Sequence, residues 1–405
     1  MKNQKSKSLS SLIFIPLLSL IFIRPFFSGL AYPLFEFYYE NCVIFLAIVT
    51  LAMVAAGFPP LSSNFRAWLW RASSLRKTAY RYPIFLLIST YIISTIFSIN
   101  IQNSIKETIK FISYISIFFI VSQTNSDQKR ALIKTMIAAA AIITIYSIYQ
   151  YFLGYQHTLE YLRKTNSDFL LNSSYAKDIL ISKRAIGTFP SPNILGGYLI
   201  IIFFLALHSL KAGFQSRRNL SFRVSLRAAP LIPISLALLL TKSLGAWLSL
   251  IAALFILLLL SYKSLKQRKL ILISSFVIIA LVLSFILFNR WERLTNLQNP
   301  QNSISQRLNY WRTAIAVIKN HLLLGVGPGN FYLAYPKYKI GLSTDTRYAH
   351  NLFFHIWAET GILGLIGIFY LIITFFKKIK SKSEYKFLLL GVTAFTLHNL
   401  IDNTY

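Results

Sequence analysis

Apolar runs long enough to cross about 30 Å of hydrocarbon as helix, roughly 17 to 25 residues each, recur from one end of this chain to the other. They fall near residues 11–30, 41–57, 83–101, 107–122, 131–152, 190–210, 229–241, 244–261, 270–289, 356–376 and 387–402, the seventh being short. A water-soluble core would need polar faces between such runs, and few are present. With 55% hydrophobic residues, 13% charged residues and a mean hydropathy of +0.55, the 405-residue chain lies outside the range of an ordinary soluble domain. The expected fold is all-α: a polytopic bundle of about eleven transmembrane helices with a large helical outer loop.

The net charge of +30 could point to nucleic acid, but the Lys and Arg residues sit between the apolar runs and form no single basic face with interleaved aromatics. Topology accounts for most of them. With the N-terminus inside, the inner connections are the N-tail and residues 58–82, 123–134, 211–228, 262–269 and 377–386, which hold 25 of the 42 Lys and Arg residues. The opposite orientation would turn these basic segments outward, against the positive-inside bias. Lys2, Lys5 and Lys7 ahead of an apolar stretch imitate a signal peptide, yet no small-residue cleavage site follows and Arg24-Pro25 interrupts the run, so it reads as a retained helix. Cys42 stands alone, which rules out a disulfide or thiolate metal site within the chain.

This divides the chain into N-terminal helices at 1–152, a first outer loop at 153–189, central helices at 190–289, a second outer loop at 290–350 and C-terminal helices at 351–405. The last apolar run stops at Thr404-Tyr405 with no polar tail, which reads as a piece lacking a twelfth helix.

The second outer loop departs from the charge rule. It carries Arg290, Arg293, Arg307, Arg312, Lys319, Lys337, Lys339 and Arg347 against only Glu292 and Asp345. Something other than topology holds those cations outside, and an anionic ligand is the simplest reason. The stretch from Ser305 reads as an amphipathic helix, with Ser303 or Ser305 as N-cap and Gly325 ending it. Arg307, Tyr310, Trp311 and Ala314 then share one face, whereas Arg312 points elsewhere. A guanidinium suits phosphate because it donates two parallel hydrogen bonds and keeps its charge. Solvation, or contact with lipid phosphates, is the competing reading for either arginine.

Gly325-Val-Gly-Pro-Gly-Asn330 evokes a nucleotide loop but follows a helix, with no strand before it and no Gly-Lys-Ser after it. Its glycines are expected to let the chain return tightly at the membrane surface. His350 at the outer mouth of a helix is a candidate base, though a structural histidine is the blander reading; His355, five residues on, does not share its face and makes a poor metal pair. Glu359, near the membrane boundary, should orient an arginine or cap a helix end. In the first outer loop, Lys183-Arg184 precedes a proline-broken helix start, whose free N–H groups attract anions. Lys242 lies in a predicted outer hairpin, Thr241 to Trp247, at membrane depth, where a lone charge either snorkels or serves function.

Taken together, these motifs resemble the O-antigen ligase and O-antigen polymerase superfamily with its Wzy-type C-terminal signature. The matching residues are Arg184 with Gly187 to Asn193, the Thr241 to Trp247 hairpin, Ser305 to Arg307 with Tyr310-Trp311, Gly325 to Asn330, and His350-Asn351 with Glu359 to Gly361. The resemblance covers roughly residues 180–402. One departure is that the family commonly carries Ser-Arg-Gly in the hairpin, whereas Leu244 follows Ser243 here and Lys242 would supply the charge. The resemblance implies glycosyl transfer at the outer face of the cytoplasmic (inner) membrane, from a glycan on undecaprenyl diphosphate to a glycan or lipid A core acceptor, with no metal or nucleotide cofactor. Membrane lipids are then partners and nucleic acid is not. It also implies His350 and Arg307 as catalytic, with Arg184, Lys242, Arg312, Arg347, Asn193, Trp311, Asn351 and Glu359 as diphosphate or substrate contacts. Ligase and polymerase share the donor chemistry. A flippase for the same lipid-linked sugar is the rival from another class; it would carry its charges along the helices, which here are nearly free of them.

Overall fold

The computed structural model describes residues 2–27, 33–55, 79–122, 124–173, 176–214, 228–261, 302–380 and 385–402, with isolated positions at 284, 295, 296 and 299. All regular structure among them is helical. The helices are α1 (Lys2–Ile23), α2 (Pro33–Ala55), α3 (Arg81–Ile96), α4 (Ile101–Ser122), α5 (Ser126–Tyr149), α6 (Tyr155–Lys164), α7 (Pro192–Phe214), α8 (Leu231–Leu240), α9 (Leu244–Ser261), α10 (Ser303–Asn320), α11 (Phe331–Tyr338), α12 (Leu352–Lys380) and α13 (Lys386–His398). A π-helical turn, Gln150–Gly154, joins α5 to α6.

These helices lie on the expected apolar runs, apart from α6, α10 and α11, which lie in the expected outer loops. The run at 270–289 apart from position 284, and Arg290, Glu292 and Arg293, fall outside the described residues. Three segments among those described are long and apolar enough to cross a membrane: Ser126–Lys164, Pro192–Lys211 and Leu352–Lys378; α3, α8, α9 and α13 are shorter apolar helices. Large apolar side chains also cover the outside. Phe85 is 70% exposed, Ile145 63% and Ile232 75%, an exterior that only lipid can solvate.

The central helix α7 has no exposed residue from 192 to 211, and its Leu195, Leu199, Ile202 and Phe204 share a core with Ile234 and Leu238 of α8, Ala246 of α9, Ile143 of α5 and Leu390 of α13. In lipid, close approach replaces hydrophobic drive, and small residues permit it. Gly391 accordingly faces Phe204, and Gly367 of α12 faces Leu87 of α3.

The amphipathic helix is present as α10, with two corrections. Its N-cap is Asn302, whose side-chain oxygen accepts the Ile304 amide at 2.9 Å, so Ser303 is already inside the helix. It ends at Asn320, not at Gly325, because residues 322–327 pair with α12 instead. At Gly361 (φ 71°, ψ −172°) α12 is broken, and the backbone groups freed there are taken up in trans. Val326 and Gly327 donate to the Ala358 and Glu359 carbonyls, both at 2.9 Å, while the Ile362 amide donates to the Leu322 carbonyl at 3.0 Å. The Ser94 hydroxyl of α3 reaches the Leu324 and Glu359 carbonyls at 2.7 and 2.9 Å. A broken helix at this depth is tolerable only with such replacement partners.

One end of the bundle gathers the connections. The Ile99 amide donates to the Val326 carbonyl, Ala185 to Leu240, and Leu352 to Asn399. The α3–α4 turn, the strap at 182–191, the 241–243 hairpin, the 321–351 loop and the 399–402 turn therefore share a single face.

Candidate functional site

Asp402, in the turn just beyond α13, joins two segments of that face. Its Oδ2 accepts from the Arg307 guanidinium at 2.7 Å, and its Oδ1 stands 3.3 Å from His350 Nδ1. The carboxylate is buried, while the Arg307 and His350 side chains keep 23% and 29% of their exposure. Burial would raise the Asp402 pKa, but the Arg307 charge and then the His350 hydrogen bond outweigh it and hold the carboxyl well below its usual range.

This ionised carboxylate carries a testable consequence. A depressed folded pKa means that Asp402 contributes stability that is complete above about pH 4, where an unfolded Asp titrates, and is lost as pH falls through the lower folded value. Arg307→Ala should therefore lower the thermal midpoint in detergent at neutral pH. The gap to wild type should narrow on acidification below the ordinary carboxylate range. A gap independent of pH would show that Asp402 does not depend on Arg307.

α10 supplies the Arg307 side of the cluster through its helical spacing. Tyr310 stacks on the His350 ring (centroids 5.3 Å apart, planes at 20°), and Trp311 Nε1 donates to the His350 carbonyl at 3.3 Å. Ala314 is buried beneath them. Arg312 is exposed on another face, as its spacing requires, and does not join the cluster. The Nε–H of Arg307 is buried and has no hydrogen-bond partner among the described residues. His350 itself is held at φ 52°, a left-handed conformation costing a non-glycine residue on the order of 1 kcal/mol. Lys183 and Lys242 share that conformation at φ 44° and 50°. Backbone strain thus recurs on both sides of the site, as it does where geometry serves function.

Arg184 occupies a different position from the one its expected role requires. Arg184 is 7% exposed and its guanidinium is engaged at every nitrogen: Nε on the Thr241 carbonyl (3.0 Å), one terminal nitrogen on Asp178 (2.6 Å) and the other on Asn193 Oδ1 (3.0 Å). An anion could reach it only by displacing Asp178. Asn193 is therefore a partner of Arg184, in the first turn of α7. Its carbonyl meets His398 Nε2 at 3.1 Å, and His398 precedes Asp402 by one turn, so Arg184 connects to the cluster through Asn193 and His398. Lys242 Nζ donates to the Ser182 carbonyl at 2.8 Å and lies 5.6 Å over the Tyr151 ring.

Three more expected contacts have structural partners. Asn351 caps α12, its Oδ1 accepting the Phe353 and Phe354 amides at 3.0 Å while its Nδ2 donates to the Leu400 carbonyl. Glu359 accepts the Gly329 and Phe331 amides at 2.8 and 3.1 Å, which caps α11 and follows the helix-capping alternative. It also lies 3.5 Å from His355 Nε2. Arg347 is 53% exposed, 3.9 Å from Glu107 and over the Tyr332 and Tyr348 rings.

Asp402, His398, Asp178 and Gln150, whose Oε1 accepts the Ile186 and Gly187 amides, are absent from the sequence-based set. A signal for Asp402 existed: a lone carboxylate at the end of an apolar run is a functional pointer in itself.

The fold and this cluster define a multi-pass helical membrane protein with a histidine, an arginine and a carboxylate gathered at one mouth of the bundle. Residues 229–369 match the O-antigen ligase family model (Wzy_C), a match that supports the O-antigen ligase and polymerase superfamily, whose members are glycosyltransferase-like enzymes. The matched segment contains Lys242, Arg307, Trp311, Arg312, Arg347, His350, Asn351 and Glu359, whereas Arg184, Asn193, His398 and Asp402 lie outside it. No curated protein matches the chain.

Proposed function

We propose that the protein is an O-antigen ligase-like glycosyltransferase that moves a glycan from undecaprenyl diphosphate to an acceptor hydroxyl at the outer face of the cytoplasmic membrane. The observation that carries the reading is Asp402 binding Arg307 and His350 at once. With Nδ1–H directed at the carboxylate, His350 keeps Nε2 as the lone-pair nitrogen for the acceptor proton. The acceptor oxygen attacks the anomeric carbon, the bond to diphosphate breaks, and the departing anion gains charge that a fixed guanidinium stabilises. Arg307 suits that task, since its buried Nε–H has no acceptor among the described residues. Lys242 and Arg347 are the further cations assigned to the diphosphate, and Arg184 acts by holding Asn193. An O-antigen polymerase would use the same donor chemistry with a glycan acceptor.

The test is transfer from a polyprenyl-diphosphate glycan in membranes holding the full chain. Arg307→Ala is expected to insert normally and to lose about 10²- to 10³-fold in rate, the scale for removing one charge-stabilising donor. Near-normal transfer by that variant would remove Arg307 from the chemistry. No transfer by the wild type, with flipping of the lipid-linked sugar in proteoliposomes, would replace the reading with transport.

A further inference from the structure

Behind the strap that carries Arg184, the structure contains a half-open cleft of about 300 Å³, bordered by Tyr146, Tyr149, Tyr155, Ile179, Leu180 and Ile186. We propose that this cleft takes the isoprene units nearest the diphosphate of a polyprenyl-diphosphate donor, an inference that rests on the reading of the donor above.

Four observations carry it. The first is depth. The flanking face of α5 and its continuation is exposed and apolar or aromatic, with Ile142, Ile145, Phe152 and Leu153 each 48% exposed or more. The chain then turns polar at His157, Glu160 and Arg163, so the cleft lies at the aromatic belt where hydrocarbon meets headgroups. Any lipid diphosphate must have its first isoprenes at that level.

The second is chemistry. Three polar groups of the lining are turned to the protein itself: Gln150 Oε1 accepts the Ile186 and Gly187 amides, the Tyr155 hydroxyl donates to the Arg184 carbonyl at 2.6 Å, and Thr158 donates to the Gly154 carbonyl at 2.9 Å. Ring faces and hydrocarbon dominate what remains for the occupant, which suits an alkenyl chain better than a sugar with hydroxyls to satisfy.

The third is adjacency to charge. The strap residues that wall the cleft are continuous with the exposed Lys183, and Lys242 donates to the Ser182 carbonyl beside it. An apolar slot beside cations matches an anionic head on an apolar tail. The fourth is size and origin. The volume stands at the small end of ligand pockets, roughly 300–1,000 Å³, which fits a short stretch of chain and not an oligosaccharide. The π-helical turn Gln150–Gly154 forms part of its wall, and such bulges recur at functional positions.

The test is photolabelling of the full-length protein in nanodiscs with a benzophenone-bearing farnesyl diphosphate, followed by peptide mapping. Labels are expected on peptides covering 146–158 and 176–186, competed by undecaprenyl diphosphate and not by inorganic diphosphate or a soluble oligosaccharide. Leu180→Trp, which fills the cleft, should reduce labelling about tenfold, the scale of losing one well-buried apolar contact, while Ile232→Trp on a remote lipid face should not. If Leu180→Trp does not give a monodisperse protein, Tyr149→Ala removes an exposed ring of the lining and should weaken labelling several-fold. Labels elsewhere, full labelling of the filled variant, or competition by the oligosaccharide would overturn the proposal. Labelling needs no turnover, which separates the two claims. Labelled cleft without glycan transfer sinks the transferase and keeps the cleft; transfer with an unchanged donor KM in Leu180→Trp sinks the cleft and keeps the transferase.

Discussion

His350→Ala is expected to lower glycan transfer by about 10²- to 10⁴-fold, the contribution of a positioned general base, while the protein stays inserted and folded. The reason is local. His350 is partly exposed, its ring covers Tyr310 without filling a core, and its removal leaves Asp402 paired with Arg307. Asp402→Asn should cost a comparable factor by another route. An amide can offer its nitrogen to Nδ1 and so reverse the tautomer, turning the lone pair inward and the N–H toward the acceptor. Residues that act as a unit do not add, so the double variant should fall little below His350→Ala alone. Initial rates with a polyprenyl-diphosphate glycan measure all three. In Asp402→Asn the loss should lie in kcat and leave the donor KM close to wild type, which a general structural lesion would not do. Fully multiplicative losses would mean that the two side chains work independently, and the dyad would have to be abandoned.

How much of this was legible beforehand depends on the range of the interaction. Apolar runs reveal helices because each run needs only itself and a solvent, and their positions in the fold follow the sequence closely. The face of α10 was equally legible, since helical spacing alone brings Arg307, Tyr310 and Trp311 to one side and sends Arg312 away. The gathering of these connections at one end is consistent with helices that alternate in direction. What stayed hidden were contacts between segments distant in the chain. Asp402 stands 95 residues from Arg307 and 52 from His350, and it was absorbed into an apolar run ending at 402, so its charge was counted as a boundary and not as a partner. Arg184 read as a free cation because Asp178, six residues earlier, reaches it only through the tight π-helical turn Lys177–Ile181.

Asn351 shows the complementary case. Beside a histidine in a motif it reads as a substrate contact, and an asparagine just ahead of an apolar helix is also a cap: its Oδ1 caps α12 while its Nδ2 donates to the Leu400 carbonyl. Glu359 sits between the two cases. A carboxylate near the membrane boundary demanded partners, and the two readings offered, an arginine or a helix end, were decided by the loop that folds onto it. These capping groups are what hold the 321–331 loop and the start of α12 in register, and with them the His350 backbone.

Gly361→Val is expected to be the most damaging single substitution for the fold, lowering stability by roughly 3–5 kcal/mol through backbone strain and overpacking combined. With φ 71° and ψ −172°, Gly361 occupies a region that is essentially closed to residues with a side chain. A Cβ there would also meet the Leu323 carbonyl head on, and one on Gly325 (φ 69°) would meet the Glu359 backbone in the same way. The two glycines thus let two backbones pair at a helix break, and neither partner can yield without surrendering the bonds that satisfy Ala358, Glu359 and Ile362. A fall of about 4–6 °C in the thermal midpoint of purified protein should follow, with transfer reduced at temperatures where the wild type works. Gly154→Ala is the matched control for stability. Its φ is −62° and a Cβ meets nothing closer than 3.6 Å, so alanine should be neutral or slightly stabilising there. Equal midpoints for Gly361→Val and wild type would mean that the break in α12 is not required. The pairing of loop 322–327 with α12 would then lose its claim to position the site.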